Sequence, residues 1–179
     1  NYPIIAAQMA TENRRPLGVG IINLAYFLAK NDVSYTNPDA LKLVDTWAQH
    51  WSYYLIKASA DLAVEFGACP KNNETKYSDG VLPVDTYKKD VDELVVHVDC
   101  VDWTGLRTQL RETGIRNSTL MALMPAETSA QISNSTNGIE PPRAFVSIKQ
   151  SKDGVLKQVV PGYARLKNKY ELLWDQKSP

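Results

Sequence analysis

The chain has 179 residues, and its 20 basic side chains balance 20 acidic ones to a formal net charge of zero. This length suits one domain with a sizeable core, and the balanced charge excludes the electrostatic pattern of a nucleic-acid-binding protein. The sequence has no apolar run long enough for a bilayer and does not open on a signal segment, so we expect a cytoplasmic protein that binds neither nucleic acid nor membrane.

Two helices are predicted in the first half of the chain. Apolar residues from Ile22 to residue 28 have helical spacing and follow the pattern Gly18-x-Gly20-x-x-Asn23. This pattern lacks the third glycine of a dinucleotide-binding loop, so packing of a loop on a helix is the favoured interpretation. A long helix begins at Asn37-Pro38-Asp39, which combine a cap, a first-turn proline and an acid, and it ends at Gly67. Its apolar stripe through residues 41, 44, 48, 51, 55, 58, 62 and 66 predicts a face packed on a sheet and another helix.

The second half alternates predicted helices and strands. In chain order these are a surface loop at residues 71–87, a helix capped by Asp102 and closed by Gly114, a buried strand at 120–124, a hairpin of residues 145–148 with 155–160, and a helix at 163–174. The strand is wholly apolar, as in covered parallel sheets, and Pro125 ends it. This order of elements predicts an α/β fold.

A turn follows the predicted strand and contains Ala126, Glu127, Thr128 and Ser129. A helix that begins there exposes N–H groups without intrahelical partners, and its dipole adds positive potential, so a phosphate is stabilised. We expect the Glu127 side chain to point away from such an anion. A purely structural interpretation also stands, in which Thr128 and Gln131 form a capping box.

The remaining polar residues indicate no catalytic or metal site. His50 and His97 are the only histidines, and neither has a metal-ligand partner at a usable spacing. Cys69 and Cys100 are far apart and outside any C-x-x-C pattern, which favours reduced cysteines that pack as small apolar groups.

Long and specific strings are distributed over nearly the whole chain. They are Arg14-Arg15, Leu17-Gly18-Val19-Gly20, Ile22-Asn23, Gly67-Ala68-Cys69-Pro70, residues 82–90, Arg116-Asn117-Ser118-Thr119, residues 122–134, residues 136–143, Val146-Ser147-Ile148-Lys149 and Ser151-Lys152-Asp153-Gly154. Together they resemble the large catalytic subunit of class I ribonucleotide reductase, of the bacterial aerobic type.

The resemblance implies that residues 1–179 are a single incomplete domain, a segment of the C-terminal half of a ten-stranded α/β barrel. It implies an enzyme that reduces ribonucleoside diphosphates to deoxyribonucleoside diphosphates by radical chemistry. In that family the loop matching Ala126, Glu127, Thr128 and Ser129 holds the substrate diphosphate. No catalytic residue, metal or cofactor is implied in this segment, because the catalytic positions fall outside it and a metal-containing small subunit supplies the radical.

The implied partners are the remainder of the large subunit, the small radical-generating subunit, a second large subunit in a homodimer, and thioredoxin or glutaredoxin as reductant. We therefore expect the chain to be a piece of a longer protein and inactive alone. Two alternatives stand beside this one. In the first alternative the chain is a non-catalytic assembly or binding fragment, which Ala126 and Ala130 favour because the family often carries serine there. In the second it is an unrelated phosphosugar enzyme with a similar turn.

Overall fold

A computed structural model describes residues 2–152 and 154–170 of the chain. Within them the α-helices and strands are α1 (Ile5–Arg14), α2 (Leu24–Lys30), α3 (Pro38–Phe66), α4 (Pro83–Thr86), α5 (Trp103–Thr113), α6 (Glu127–Ile132), β1 (Val146–Ser151), β2 (Gly154–Val159) and α7 (Tyr163–Leu166). Short 3-10 helices occur at Asn72–Glu74, Lys76–Asp79, Lys89–Glu93 and Lys167–Lys169. Among these residues, none of the helices combines the length and apolar character that crossing a bilayer requires.

The described residues form two compact units. The first contains residues 2–19 and 41–122, and the second contains residues 20–40 and 123–170. The core cluster of the first unit includes Ile56 and Ala60 of α3, Trp103, Leu106 and Leu110 of α5, and Leu82, Ile115 and Leu120 of the connecting segments. The second unit holds α2, α6, the hairpin and α7, and it therefore contains the candidate loop. The single domain expected over residues 1–179 stays a prediction.

Helix α3 confirms the predicted boundaries. The Asp39 N–H donates to Asn37 Oδ1 at 2.9 Å, and the helix ends at Phe66 before Gly67, which has a φ of +80°. The predicted apolar stripe is wrong as a core face, because Leu62 and Phe66 are exposed. From Gln49 onward the residues of α3 that are buried instead are Gln49, Ile56, Ser59, Ala60 and Ala63, whose mostly small side chains let the rest of the core approach the helix closely.

Helix α5 also forms as predicted. Asp102 Oδ1 accepts the Gly105 N–H at 2.8 Å, and the helix ends at Thr113 before Gly114. The Gly114 φ is +68°, and a Cβ there would lie 2.8 Å from the Ala68 side chain. The cap and the glycine therefore delimit the helix at its two ends.

The predicted surface loop at residues 71–87 is more ordered than the sequence indicates. It contains two 3-10 helices and α4, and Leu82 within it is 1% exposed and belongs to the core. The Leu82 N–H donates to Asp85 Oδ2 at 2.8 Å, and Arg107 of α5 binds the same carboxylate. An ion pair and a buried leucine thus hold this segment in place.

The predicted strand at residues 120–124 is wrong as a strand of a sheet. Within the described residues this segment forms an isolated parallel bridge between Val19 and Met121, supported by N–H···O contacts of 2.7 to 3.0 Å on either side. The segment is buried only at Leu120, while Leu123 and Met124 are exposed. A strand needs a run of paired residues, and among the described residues the last backbone hydrogen bond between this segment and its partner runs from the Ala122 N–H to the Val19 carbonyl.

The predicted hairpin is confirmed. Strands β1 and β2 pair antiparallel in the register Val146↔Val159 to Ser151↔Gly154. Asp153, which belongs to the predicted turn, lies outside the described residues. The helix predicted for residues 163–174 is seen as α7 and the 3-10 helix Lys167–Lys169, and residues 171–174 also lie outside the described part.

Candidate functional site

The candidate loop begins α6 with Ala126 as its N-cap. The Ala130 N–H donates to the Ala126 carbonyl at 2.8 Å, so Glu127 is the first helical residue. No side chain of the cap residue bonds to the helix. The capping box expected from Thr128 and Gln131 is therefore wrong, because such a box needs the threonine at the cap with a non-helical backbone and Thr128 is inside the helix.

One of the four loop amides is already occupied. The Ala126 N–H donates to Asn137 Oδ1 at 2.7 Å. By contrast, the N–H groups of Glu127, Thr128 and Ser129 have no hydrogen-bond partner within the residues that the structure describes. All three residues are exposed. These three amides, at the positive end of a short helix dipole, are available to an anion.

The Thr128 and Ser129 hydroxyls add two further donors. Neither hydroxyl makes a hydrogen bond within the described part of the chain. Ala130 is 2% exposed, so a serine at this position would have its hydroxyl in the interior rather than at the open end of the helix. Alanine instead of serine at position 130 therefore does not reduce the number of exposed hydrogen-bond donors at the start of α6.

Asn137 contacts the candidate loop, although sequence reasoning did not select it as a site residue. Its turn is held by Asn23 just before α2, because the Asn23 N–H donates to the Thr136 carbonyl at 3.0 Å and Asn23 Oδ1 accepts the Thr136 N–H at 3.3 Å. The Leu24 N–H also donates to the Gly138 carbonyl. Two strings singled out in the sequence, residues 22–23 and 136–143, thus meet and fix the cap of α6.

The Glu127 carboxylate is directed to the hairpin and not left free beside the amides. Lys149 Nζ of β1 lies 2.6 Å from Glu127 Oε2. The hydrogen bond from Lys149 is the main cause that lowers the pKa of Glu127, and the positive charges of Lys149 and Arg143 lower it further. The carboxylate is therefore ionised at neutral pH and already has a cationic partner.

A polar cavity of about 350 Å³ lies next to this ion pair in the second unit. Its lining includes Glu127, Lys149, Thr136 and Gln158, but neither Thr128 nor Ser129. The Thr136 hydroxyl is buried without a partner in the described residues. The cavity is thus bordered by the residues of the Glu127–Lys149 pair, whereas Thr128 and Ser129 are exposed and lie outside its lining.

The histidine and cysteine side chains make ordinary polar contacts in the first unit. His97 lies between Asp45 and Asp99, with N···O distances of 3.3 and 3.2 Å. Cys69 is buried, as expected, and burial raises the pKa of its thiol. Cys100 is exposed, contrary to expectation, and its pKa is raised by partial desolvation and then by Asp45. Within the described residues, no three His, Cys, Asp or Glu side chains are placed to hold a metal ion.

Comparison with known proteins identifies relatives over almost the whole chain. The family described as "Ribonucleotide reductase, barrel domain" matches residues 1–176. The ribonucleoside-diphosphate reductase subunit alpha of Haemophilus influenzae is 57% identical over 175 residues, and the corresponding Escherichia coli subunit is 55% identical, each match covering 98% of this chain. A relative from Enterobacteria phage T4 is 46% identical over 173 residues. The chain spans 23% of the length of the two bacterial relatives. It therefore belongs to the ribonucleotide reductase family, in which it corresponds to part of the barrel domain.

Proposed function

We propose that the chain is a segment of the large subunit of a ribonucleoside-diphosphate reductase, which reduces ribonucleoside diphosphates to deoxyribonucleoside diphosphates by radical chemistry. The observation that carries this proposal is the identity of 55 to 57% to subunits of that name over 98% of the chain. In this proposal the described helices and hairpin are part of a ten-stranded α/β barrel that the rest of the large subunit completes.

The loop Ala126, Glu127, Thr128 and Ser129 is the proposed diphosphate-binding element of this segment. The amides of Glu127, Thr128 and Ser129 and the two hydroxyls donate to the phosphate oxygens, while Ala126 is held by Asn137 and shapes the loop. Hydrogen bonds to charged groups contribute about 1.5 to 3 kcal/mol each, so a few of them are enough to orient a substrate. This role is supported because these three amides and two hydroxyls have no hydrogen-bond partner among the described residues.

The remaining chemistry belongs to other parts of the enzyme in this proposal. The catalytic residues come from the remainder of the large subunit, and the radical comes from a metal-containing small subunit. The large subunit forms a homodimer and receives electrons from thioredoxin or glutaredoxin in the cytoplasm. The segment itself binds no cofactor and contributes substrate binding and barrel wall.

A chimeric enzyme tests the proposal. This chain replaces the matching segment of a full-length relative, and formation of deoxycytidine diphosphate from cytidine diphosphate (CDP) is measured with the small subunit and a reductant. We expect turnover by the chimera, and we expect Thr128→Ala with Ser129→Ala to lower kcat/KM by at least about tenfold, the effect of losing one charged hydrogen bond. Thr104→Ala, which removes an exposed hydroxyl from α5, is the matched control.

Two results count against the proposal. A folded chimera that shows no turnover with the full complement contradicts the enzymatic role. A chimera that turns over equally well with and without the two hydroxyls contradicts the role of the loop.

The second candidate is a non-catalytic assembly or binding fragment. It is favoured by Ala126, which stands where the family often carries serine. Calorimetry of the chimera with CDP separates the two candidates. A substrate-binding segment gives a heat of binding that Thr128→Ala with Ser129→Ala reduces, whereas a pure scaffold gives none.

A further inference from the structure

The hairpin presents one polar face to the region of α6. In the antiparallel register Ser147 is opposite Gln158 and Lys149 is opposite Leu156, so these four side chains share a face. On this face Gln158 Nε2 donates to the Ser135 carbonyl at 2.8 Å. The opposite face, which includes Ile148, is exposed. The hairpin register therefore fixes Lys149 on the side that approaches the candidate loop.

Lys149 contacts the one acidic residue of the loop. Its Nζ lies 2.6 Å from Glu127 Oε2, and the two side chains are 42% and 62% exposed. An ion pair at this exposure contributes little to folding stability. Its larger effect is on the local charge, because Glu127 supplies the first of the three open amides and its carboxylate repels any anion bound there.

We propose that Lys149 is a positioning residue for the diphosphate site, which binds the Glu127 carboxylate, holds it away from the open amides and cancels its charge. This inference rests on the proposed function of the loop. Lys149 contacts the Glu127 carboxylate, so its proposed effect on substrate affinity passes through Glu127.

The charges around Glu127 support this assignment. The cations acting on the carboxylate are Lys149, which donates a hydrogen bond, and Arg143, which acts more weakly and without one. The other carboxylate on the cavity is Glu140, which has no ion-pair partner in the described residues. Removing Lys149 therefore leaves Glu127 with only the weaker effect of Arg143 among the described residues.

A double-mutant cycle in the chimeric large subunit tests the role, with CDP as the ligand and calorimetry as the measurement. We expect Lys149→Met to raise the Kd for CDP by roughly 3- to 10-fold, the effect of one screened unit charge a few Å from a doubly charged phosphate. Glu127→Gln keeps the backbone amide but removes the carboxylate charge and leaves the Lys149 charge unpaired, so we expect it to lower the Kd. In the Glu127→Gln background, Lys149→Met should raise the Kd less than about twofold, because the charge that Lys149 masks is gone.

Two further variants separate this role from general effects. Lys149→Arg keeps the cation and should retain the reference affinity. Lys157→Met removes an equal charge from the opposite face of the same hairpin, where the Lys157 side chain has no hydrogen bond or ion pair within the described residues, and should leave the Kd within about twofold. In steady-state assays Lys149→Met should raise KM with little change in kcat, since the lost effect acts on ground-state binding.

The outcomes distinguish this inference from the function on which it rests. If Lys149→Met weakens CDP binding equally in the unsubstituted chimera and in the Glu127→Gln variant, the positioning role is overturned, because the result indicates direct contact with phosphate. A Kd for CDP that Lys149→Met changes in neither background also overturns it. If CDP does not bind the unsubstituted chimera, or binds equally well after Thr128→Ala with Ser129→Ala, the proposed function itself fails.

Discussion

Replacing Asn137 by alanine removes the oxygen that accepts the Ala126 N–H at 2.7 Å. A fully buried donor left without a partner costs about 1 to 3 kcal/mol. Because Ala126 is only half-buried, water replaces part of the lost bond, and we expect a loss of about 1 kcal/mol, close to the loss of a helix cap. For a chain of this size the midpoint of thermal unfolding should fall by about 2 to 4 °C.

Amide hydrogen exchange followed by NMR on the 179-residue chain is the direct assay. In the unsubstituted chain the Ala126 amide should be protected, while the Glu127, Thr128 and Ser129 amides exchange at nearly unprotected rates. Asn137→Ala should remove the protection of Ala126 alone. Asn137→Asp keeps an acceptor oxygen and should preserve it. Protection of Ala126 that survives Asn137→Ala, or protection of the other three amides, would refute the reasoning.

Three further predictions concern the first unit. Leu110 lies in the core and is 1% exposed, so Leu110→Ala should lower the free energy of unfolding, measured in urea, by about 2 to 5 kcal/mol. A decrease below about 1 kcal/mol would contradict its place in the core. The hydrogen bond from Arg107 lowers the pKa of Asp85, so the stability from this pair is complete above the ordinary carboxyl pKa of about 4 and is lost as the pH falls through the lowered value. Asp85→Asn should therefore reduce the change of unfolding free energy with pH in acid, and an unchanged pH dependence would refute this. At a pH of about 8 to 9 a thiol reagent should label the exposed Cys100 before the buried Cys69, as peptide mass spectrometry will show, and the reverse order would contradict the burial of Cys69.

The elements that the sequence predicts well are those whose boundaries are encoded locally. Helix α3 begins where Asn37 caps it and ends before Gly67, and α5 begins where Asp102 caps it. Each capping side chain accepts a backbone N–H that is two or three positions further along the chain. The hairpin has the same property, because its two strands are joined by a short turn.

The features that the sequence does not predict depend on contacts between distant residues. Residues 120–124 have the composition of a buried strand, but a strand needs a neighbour, and in the part of the chain that the structure describes they pair only with the segment near Val19. The face of α3 that is buried was misassigned because the larger apolar side chains define one stripe, while the small residues Ser59, Ala60 and Ala63 define the side that fits the core.

The candidate loop shows both kinds of behaviour. A helix start at residues 126–129 could be predicted from local sequence, and α6 begins there. The N–H of its cap residue Ala126 is bound by Asn137, 11 residues away, and the partner of Glu127 is Lys149, 22 residues away. Neither separation matches a helical or capping period, so no local rule identifies these partners.

The most direct test of the central claim is a crystal structure of the chimeric large subunit with CDP bound. The account predicts that diphosphate oxygens accept hydrogen bonds from the amides of Glu127, Thr128 and Ser129, with the Ala126 amide still donated to Asn137. A diphosphate bound elsewhere in the barrel, with these three amides facing only solvent, would contradict it.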